Sequence, residues 1–345
     1  MFQRIIQFAV ANRLLLVLAL FGISIASFFV IPKLNLDAFP DVTNVQVTVN
    51  TEAPGLAATE VEQLITYPIE SVMYALPDVE EVRSISKTGL SGITVVFDES
   101  VDIYFARQLV FERLQAAKEL IPEGVGTPEM GPNSSGLGQV YQYLLVADPD
   151  SGVTSMELRS LNDYVVKLLL MPVEGITEVL SFGGEVKQYQ VNLNPAKLLS
   201  YELTQQDVMD AVNKNNGNVG GWYMPRGQEQ LVIRGTGWLA NGDKGLQQLR
   251  QIPLKTVDGV SVTLGQVATV EVGSEIRQGA VSMSRKVDGQ VNQLGEVVSG
   301  IVLKRMGSNT KATIDGIKKR IPLIQQALPE GVTFEPYYDQ ADLIQ

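Results

Sequence analysis

An uncharged apolar run from Leu14 to Ile31 is the feature that most constrains how this chain can fold. The run is bounded by Arg13 on one side and by Pro32 and Lys33 on the other. At a rise of about 1.5 Å per residue, a helix of this length covers about 27 Å, close to the roughly 30 Å hydrocarbon core of a bilayer. A helix also satisfies its own backbone hydrogen bonds, which lipid cannot do. The run therefore predicts one transmembrane helix.

Two other interpretations of the run remain open, a cleaved signal peptide and a buried helix. A signal peptide has a shorter apolar core, usually about 7–15 residues, followed by a small-residue cleavage site that is not found here. Arg4 and Arg13 precede the run, and the first acidic residue is Asp37. The positive-inside rule therefore predicts a cytoplasmic N-terminus, with everything after Lys33 outside the cytoplasm.

Composition limits the chemistry of the part that follows the run. Asp and Glu outnumber Lys and Arg by 38 to 27, which makes nucleic acid an unfavourable partner. The hydrophobic fraction of 45% is that of an ordinary folded protein. Cysteine and histidine are both absent, which excludes disulfides, thiolate metal sites, His-containing zinc centres and the usual catalytic triads.

Two strings resemble functional motifs without meeting their requirements. DPDSG, beginning at Asp148, starts like a calcium loop but has Arg159 where the closing Glu belongs. GLSG, beginning at Gly89, is not a nucleophile elbow. Both strings are better explained as turns, and we predict neither an enzyme nor a bound cofactor.

The segment after the run predicts a unit with the order βαββαβ. Alternating residues VQVTVN indicate a strand, and the helix that follows contains Pro68, which is expected to kink or break it. Two strands joined near Gly89 come next, followed by a helix over Ile103 to Leu120 and a last strand near Val125 to Met130. This is the ferredoxin-like order of elements.

A second unit follows the same plan. YQYLLVAD predicts a strand and LRSLNDYVVKLLLM a helix, and the lead-in MPVEGITEVLSF echoes LPDVEEVRSIS of the first unit. Its second helix comes only after a long gap, at Thr310 to Leu328, and ends in LPEGV where the first unit has IPEGV. Similar strings at equivalent places indicate an internal repeat. The predicted fold class is therefore α+β, with one transmembrane helix followed by two ferredoxin-like (βαββαβ) subdomains.

An insertion from about Asn194 to Ser274 separates the halves of the second unit and predicts a mixed α+β lobe. A short helix capped by Thr204 leads into a long hairpin, predicted over Asn213 to Arg234. We place three glycines at the hairpin tip, because they let the backbone bend at little steric cost. They are Gly217, Gly220 and Gly221.

Three large side chains, Trp222, Tyr223 and Met224, lie beside these glycines. A hairpin cannot bury such side chains by itself, and residues of this kind are enriched at protein interfaces. We therefore predict an oligomer contact formed by Trp222, Tyr223 and Met224. A mobile surface loop is the alternative interpretation.

Six strings occur along the chain in a distinctive order. They are LDAFPDVT, APGLAATEVEQLITYPIE, VRSISKTGLSG, DIYFARQLVFERL, GPNSSGLGQVY and LPEGV. Each string alone is weak, but in this order over nearly the whole length they resemble the heavy-metal efflux branch of the resistance-nodulation-division exporters. The resemblance implies a periplasmic porter domain made of two ferredoxin-like subdomains, with a docking subdomain inserted in the second.

This resemblance divides the chain into five parts. They are the N-terminus with the transmembrane helix (1–36), a first porter subdomain (37–135), a second porter subdomain (136–190 and 275–338), the docking subdomain with its hairpin (191–274), and the approach to a second span (339–345). Family members are much longer, so we expect this chain to be an N-terminal part. The proton-carrying carboxylates and the substrate cleft are then expected beyond Gln345.

The resemblance implies a proton-driven cation exporter of the bacterial inner membrane, in contact with the lipid bilayer. The implied partners are two further copies in a homotrimer, a periplasmic adaptor, an outer-membrane channel and a divalent metal cation as substrate. Two alternatives remain, a multidrug exporter of the same family and a single-span periplasmic scaffold or binding protein. A reading frame that continues into long apolar runs would favour a transporter.

Methionine positions bear on which metal is carried, because thioethers suit Cu(I) and Ag(I) whereas carboxylates suit harder divalent ions. Met283 and Met306 fall on either side of one predicted hairpin and are the metal candidates, with core filling as the alternative. In copper and silver members a Met tends to follow a Pro-Glu pair before Arg-Arg-Gly, whereas the stretch SEIRQGA has Ile276 here. We therefore favour Zn, Co, Ni or Cd.

Overall fold

The computed structural model describes residues 10–30, 43–257, 259–277, 279–287 and 289–343. The chain divides into two compact units. One comprises the described residues of 1–153, 161–182 and 281–345, and the other those of 154–160 and 183–280. Both units contain helices and antiparallel strands, so the mixed α+β class is confirmed.

Helix α1 (Arg13–Val30) coincides with most of the apolar run. Its described side chains are largely exposed, with Leu14 at 72% and Leu20 at 69%. The Ser24 hydroxyl donates to the Leu20 carbonyl at 2.9 Å, one turn earlier. The last residue of the predicted span, Ile31, lies outside the described residues. Among the helices that the structure describes, none combines the length and apolarity needed to cross a membrane.

The first sheet contains four antiparallel strands in the order β2-β3-β1-β4. They are β1 (Gln46–Glu52), β2 (Val79–Lys87), β3 (Leu90–Phe97) and β4 (Pro128–Met130). Alternate residues of β1, including Val47 and Val49, are fully buried in a core shared with two helices. The period of two predicted from VQVTVN is therefore confirmed.

The first of these helices, α2, continues past Pro68. It consists of three consecutive segments, Ala58–Val61, a π-helical turn at Glu62–Thr66, and Tyr67–Met73. In the π-helical turn the Tyr67 N–H donates to the carbonyl of Glu62, five residues back. A proline clashes with the carbonyl four residues earlier in a regular α-helix, and a wider turn just before Pro68 relieves this clash. The predicted disturbance thus takes the form of a wide turn.

Helix α3 (Ile103–Leu120) has the bounds predicted from the sequence. Asp102 caps it, since its carboxylate accepts from the backbone N–H groups of Tyr104 and Phe105 at 2.9 and 3.1 Å. Its buried residues follow ordinary helical spacing. They are Ala106, Val110, Leu114 and Ala117.

The chain then continues through β5 (Gln139–Ala147), helix α4 and β6 (Ile176–Phe182). Helix α4 also has three consecutive segments, Ser155–Leu161, a π-helical turn at Asn162–Val166, and Lys167–Leu170. The Lys167 N–H donates to the Asn162 carbonyl, again five residues back. No proline accompanies this second wide turn.

The next part of the chain forms small helices and two-stranded antiparallel sheets, in which β7 pairs with β12, β8 with β9 and β10 with β11. The strands are β7 (Lys187–Leu193), β8 (Val219–Arg226), β9 (Glu229–Gly235), β10 (Pro253–Val257), β11 (Val260–Thr263) and β12 (Ala268–Ser274). The helices are α5 (Pro195–Ser200), α6 (Gln205–Asn215), α7 (Asp243–Arg250) and α8 (Leu264–Val267). Their common core includes Val208, Leu264, Val267 and Val270.

The last elements are β13 (Val281–Val287), β14 (Gln290–Lys304), helix α9 (Thr310–Ala327) and β15 (Val332–Asp339). They complete an antiparallel sheet in the order β13-β14-β5-β15. Strand β6 also pairs with β14, along its second half. Helix α9 contacts the part of α4 between Asn162 and Leu170, so the two helices pack beside each other.

Candidate functional site: an exposed β-hairpin

The hairpin of β8 and β9 is exposed along its whole length, because no residue of either strand is buried. Its register runs from Val219 opposite Gly235 at the base to Arg226 opposite Glu229 beside the turn. The turn consists of Gly227, whose φ is 65°, and Gln228. A two-residue turn of this kind favours glycine at the position with positive φ.

The predicted tip was therefore wrong. Gly217 precedes β8, and Gly220 and Gly221 lie near the base of the hairpin, opposite the end of β9. The bulge between Gly220 and Tyr223 absorbs one extra residue. Turn position depends on which residues pair across the two strands, and glycine content alone does not determine that pairing.

The aromatic residues lie in the middle of β8. Trp222 is 84% exposed, Tyr223 54% and Met224 51%. The Trp222 and Tyr223 rings meet edge to face, with centroids 6.1 Å apart and planes at 72°. Their predicted exposure is observed, and their role in an oligomer contact stays a prediction.

Apolar residues of the second strand, which were not predicted to belong to this surface, are also exposed. They are Leu231, Val232 and Ile233. Val232 pairs with Tyr223, and Leu231 pairs with Met224. Paired residues share a face and successive residues alternate, so each face of the ribbon carries large apolar side chains. The sequence signal for this surface is the run of three consecutive apolar residues, because successive residues of a strand point to opposite faces and one face of a lone hairpin cannot bury them all.

This geometry fits a contact surface for another protein. An isolated two-stranded hairpin is marginally stable in water, and exposed apolar surface commonly marks an interaction site. At its base, the Asn218 side-chain oxygen accepts from the Gly237 N–H at 3.1 Å, which ties the two ends together. The ribbon therefore exposes large apolar side chains along both of its faces.

Helix α6 leads into the hairpin and is anchored at its N-terminus by the predicted cap. The Thr204 hydroxyl and N–H donate to the Asp207 carboxylate at 2.6 and 2.8 Å, and the Asp207 N–H donates back to the Thr204 hydroxyl at 3.2 Å. The bonds from the hydroxyl and then from the N–H hold the pKa of Asp207 below its ordinary value of 3.8. The Thr204 cap predicted from the sequence is confirmed.

The two methionine candidates are not brought together. Met283 lies in β13 opposite Gly295, whereas Met306 follows the end of β14 at Lys304. The nine residues from Gly295 to Lys304 place them about 30 Å apart along the strand direction. Met283 instead packs, half-buried, against the core cluster of Leu144, Val146 and Val297, as core filling requires.

Within the described residues, no group of three or more Asp, Glu, Cys or His side chains is arranged to hold a metal ion. Lys167 and Glu178 form an ion pair at 3.8 Å. The Tyr143 hydroxyl is buried, and burial raises its pKa far above the ordinary value of 10.0. Its hydrogen bond to Asn162 lies in the core between α4 and the second sheet.

Comparison with known proteins assigns the chain to a family. The model of the AcrB/AcrD/AcrF family matches residues 5–345. The chain therefore belongs to the AcrB/AcrD/AcrF family, and the resemblance found in the sequence is confirmed.

Similar curated proteins carry names that refer to cation efflux or metal resistance. The chain is 42% identical to the cation efflux system protein CzcA of Alcaligenes sp. (strain CT14) and to the cobalt-zinc-cadmium resistance protein CzcA of Cupriavidus metallidurans. It is 34% identical to the cation efflux system protein CusA of Escherichia coli (strain K12). Each comparison covers 100% of this chain and 32% of the relative. The chain thus spans about a third of their length.

Solved structures give the same result. Two crystal forms of a heavy metal efflux pump match with TM-scores of 0.83 and 0.84 at 28% identity. The matches cover 98% and 99% of this chain and 32% of the pump. Fold and sequence therefore agree on the family.

Proposed function

We propose that this chain is the N-terminal part of a proton-driven heavy-metal cation exporter. The observation that carries the proposal is 42% identity, over the whole chain, to proteins named for cation efflux and for cobalt, zinc and cadmium resistance. Identity to CusA, at 34%, is lower. Divalent zinc, cobalt, cadmium or nickel is therefore the proposed substrate, in agreement with Ile276 in the stretch SEIRQGA.

Growth of a metal-sensitive bacterial host that expresses the full-length gene tests this function. We expect protection against zinc, cobalt or cadmium salts, and loss of protection when the proton gradient is collapsed. A host protected only against an organic drug would instead support the multidrug alternative. No protection against any metal, with the protein present in the membrane, would contradict the proposal.

We also propose that the two sheets, each with its two helices, are ferredoxin-like porter subdomains at 37–135 and at 136–190 with 275–338. The order β2-β3-β1-β4 and the matching order β6-β14-β5-β15 support this, because both place the first and third strands of the unit in the centre. The contact between α4 and α9 supports it too. The lobe at 191–274 is then the docking subdomain.

Helix α1, extended to Ile31, is the proposed membrane span, with a cytoplasmic N-terminus and the remainder in the periplasm. Support comes from Arg4 and Arg13 before an uncharged apolar run, and from the exposure of Leu14, Val17 and Leu20. A reporter enzyme fused after Gln345 should be active only when it folds outside the cytoplasm. Activity of a cytoplasm-specific reporter at the same position would refute this orientation.

The hairpin is proposed as the contact with a neighbouring copy in a homotrimer, which then binds a periplasmic adaptor and an outer-membrane channel. Large apolar side chains on both faces of an uncovered ribbon support a protein partner. Trp222→Ala with Tyr223→Ala should weaken the trimer while each protomer still folds, because truncating interface aromatics costs about 2 kcal/mol or more apiece.

Native mass spectrometry of the detergent-solubilised full-length protein measures this effect on dilution. Trp238→Ala is the matched control, since Trp238 is 71% exposed but lies outside both strands of the hairpin. We expect a trimer in the control and protomers in the double variant. Equal trimer populations in both would make the hairpin an ordinary surface loop.

A further inference from the structure

Helices α2 and α4 share a burial pattern that a regular α-helix cannot maintain. Helix α2 buries Thr66 as well, and each helix buries a stripe of residues at a spacing of four. In α2 these are Val61, Ile65, Ile69 and Met73, each 0% exposed. In α4 they are Leu158 at 2% and Asn162, Val166 and Leu170 at 0%.

Successive residues of an α-helix are about 100° apart, so a step of four overshoots a full turn by about 40°. Three such steps spread the stripe over about 120° of the helix surface. The π-helical turns at Glu62–Thr66 and Asn162–Val166 are wider, and they bring the stripe back to one face. Helix α3 buries residues at spacings of four, four and three, and it has no such turn.

Both helices also carry a second apolar stripe, one residue earlier, that a regular α-helix would keep on one face. If the stripe is counted from Leu158 in α4 or from Val61 in α2, its residues have spacings of three, four and four. The three residues that follow Leu158 or Val61 in each stripe are half-buried. They are Leu161, Val165 and Leu169 in α4, and Leu64, Pro68 and Val72 in α2. Each helix thus has apolar residues for two registers.

A directed chain of hydrogen bonds favours the observed register of α4. The Tyr143 hydroxyl donates to the Asn162 Oδ1 at 2.8 Å, and the Asn162 Nδ2 donates to the Ser181 Oγ at 2.8 Å. Ser181 in turn donates to a carboxylate oxygen of Asp163 at 2.5 Å. We call these four residues the α4 latch. In the other register Leu161 would take the place of Asn162, and the buried Tyr143 hydroxyl would lose its acceptor.

A related cluster lies at the wide turn of α2. The Thr66 hydroxyl is within 2.8 Å of the hydroxyls of Ser86 and Ser91, and all three side chains lie in or beside the core. Ser86 follows Pro77 by nine residues, as Ser181 follows Pro172. The strand serines therefore lie at equivalent places in the repeat, although Thr66 ends its wide turn whereas Asn162 begins its own.

We propose that α4 is a two-register switch whose wide-turn state is selected by the α4 latch. When the latch opens, the turn contracts by one residue, and the segment after it rotates by about 100° and moves by about 1.5 Å. Only the segment after the turn can shift and still bury apolar residues. If the segment before the turn shifted instead, Arg159 would take the buried place of Leu158. The shift would turn Leu170 out of the core and reorient the exposed Tyr164 and Leu168. Helix α2 also has two apolar stripes about a wide turn, with Pro68 as a further restraint on that turn.

Thiol reactivity measures the register directly, because residues 1–345 contain no cysteine and labelling of an introduced one can be followed on its own peptide by mass spectrometry. Leu170→Cys reports on the segment after the turn, and Leu158→Cys, also buried, is the matched control before it. Each is placed in the otherwise unchanged full-length protein and in the Asn162→Leu background, which removes the centre of the latch at nearly constant side-chain size. The rate of labelling by a maleimide is measured under native conditions.

We expect Asn162→Leu to raise the labelling rate at Leu170→Cys by at least about tenfold, because the rate follows the population of the register in which this position is exposed, while Leu158→Cys stays protected. Tyr143→Phe removes only one hydroxyl and should give a smaller rise, and it decides the question if Asn162→Leu does not fold. Equal rises at both cysteines, which indicate general loosening, would overturn the proposal. Unchanged labelling at Leu170→Cys in a folded latch variant would overturn it as well.

Discussion

Gly300 occupies a place in the second sheet where a side chain larger than hydrogen has no room. It lies in β14, paired with Tyr143 of β5 on one side and with Ser181 of β6 on the other. A methyl group at Gly300 would overlap the Tyr143 ring and would lie 2.5 Å from its Cε1 atom. We predict that Gly300→Ala strongly destabilises this sheet.

The size of the effect follows from how tightly Tyr143 is held. Its ring stacks on Phe334 with centroids 4.3 Å apart, and its hydroxyl donates to Asn162 at 2.8 Å. Overpacking a core costs about 1–3 kcal/mol, and losing the hydrogen bond adds about 1 kcal/mol. The expected loss is about 3 kcal/mol, which corresponds to on the order of a hundredfold change in an opening equilibrium.

Hydrogen exchange in the full-length protein, followed by mass spectrometry, measures this locally. Peptides that cover β5 and β14 should exchange on the order of a hundredfold faster in Gly300→Ala, because their amides exchange through opening of the sheet. Peptides from β1 and β3 belong to a different sheet and should be unchanged.

Gly136→Ala is the matched control, since a methyl group there meets no atom within 4 Å. Tyr143→Leu should partly rescue Gly300→Ala, because the two residues are in contact and their effects are then not additive. If Gly300→Ala exchanges like Gly136→Ala, or if Tyr143→Leu gives no rescue, the Tyr143 ring does not limit the space at Gly300.

Two further predictions concern pH. Hydrogen bonds from Thr204 hold the pKa of Asp207 below 3.8, so the stability they give to α6 is complete above that pH and is lost as the pH falls through the lowered pKa. Hydrogen exchange of α6 should therefore show an acid-dependent step that Thr204→Ala removes, and a step that survives would contradict this. The hydrogen bond from Lys318 to Asp339, 2.5 Å long, raises the pKa of Lys318 above 10.5. Its contribution is complete below 10.5 and is lost as the pH rises through the raised pKa, so Asp339→Asn should abolish an alkaline step in the exchange of α9.

Local pattern was sufficient for many elements. The spacing of apolar residues predicts α3 with its observed bounds, and the Thr204 cap predicts the start of α6. The alternation in VQVTVN predicts β1. These features depend on residues a few positions apart, so they can be recognised without any distant contact. The order of short strings along the chain likewise indicates the family to which the chain belongs.

Other features were decided by pairing between residues far apart in the sequence. The hairpin turn at Gly227 and the separation of Met283 from Met306 both follow from strand register. Register is set by which faces are buried and by the whole length of the paired strands. The position of a single glycine or methionine therefore does not determine it.

The wide turns of α2 and α4 depend both on local sequence pattern and on contacts between distant residues. The sequence contains the buried residues at a spacing of four, and it also contains the second apolar stripe with spacings of three, four and four. Hydrophobic pattern alone therefore permits two registers of each helix. Only the tertiary structure chooses between them. Asn162 accepts a hydrogen bond from Tyr143 and donates one to Ser181, each 19 positions away, and these bonds satisfy buried polar groups in one register alone.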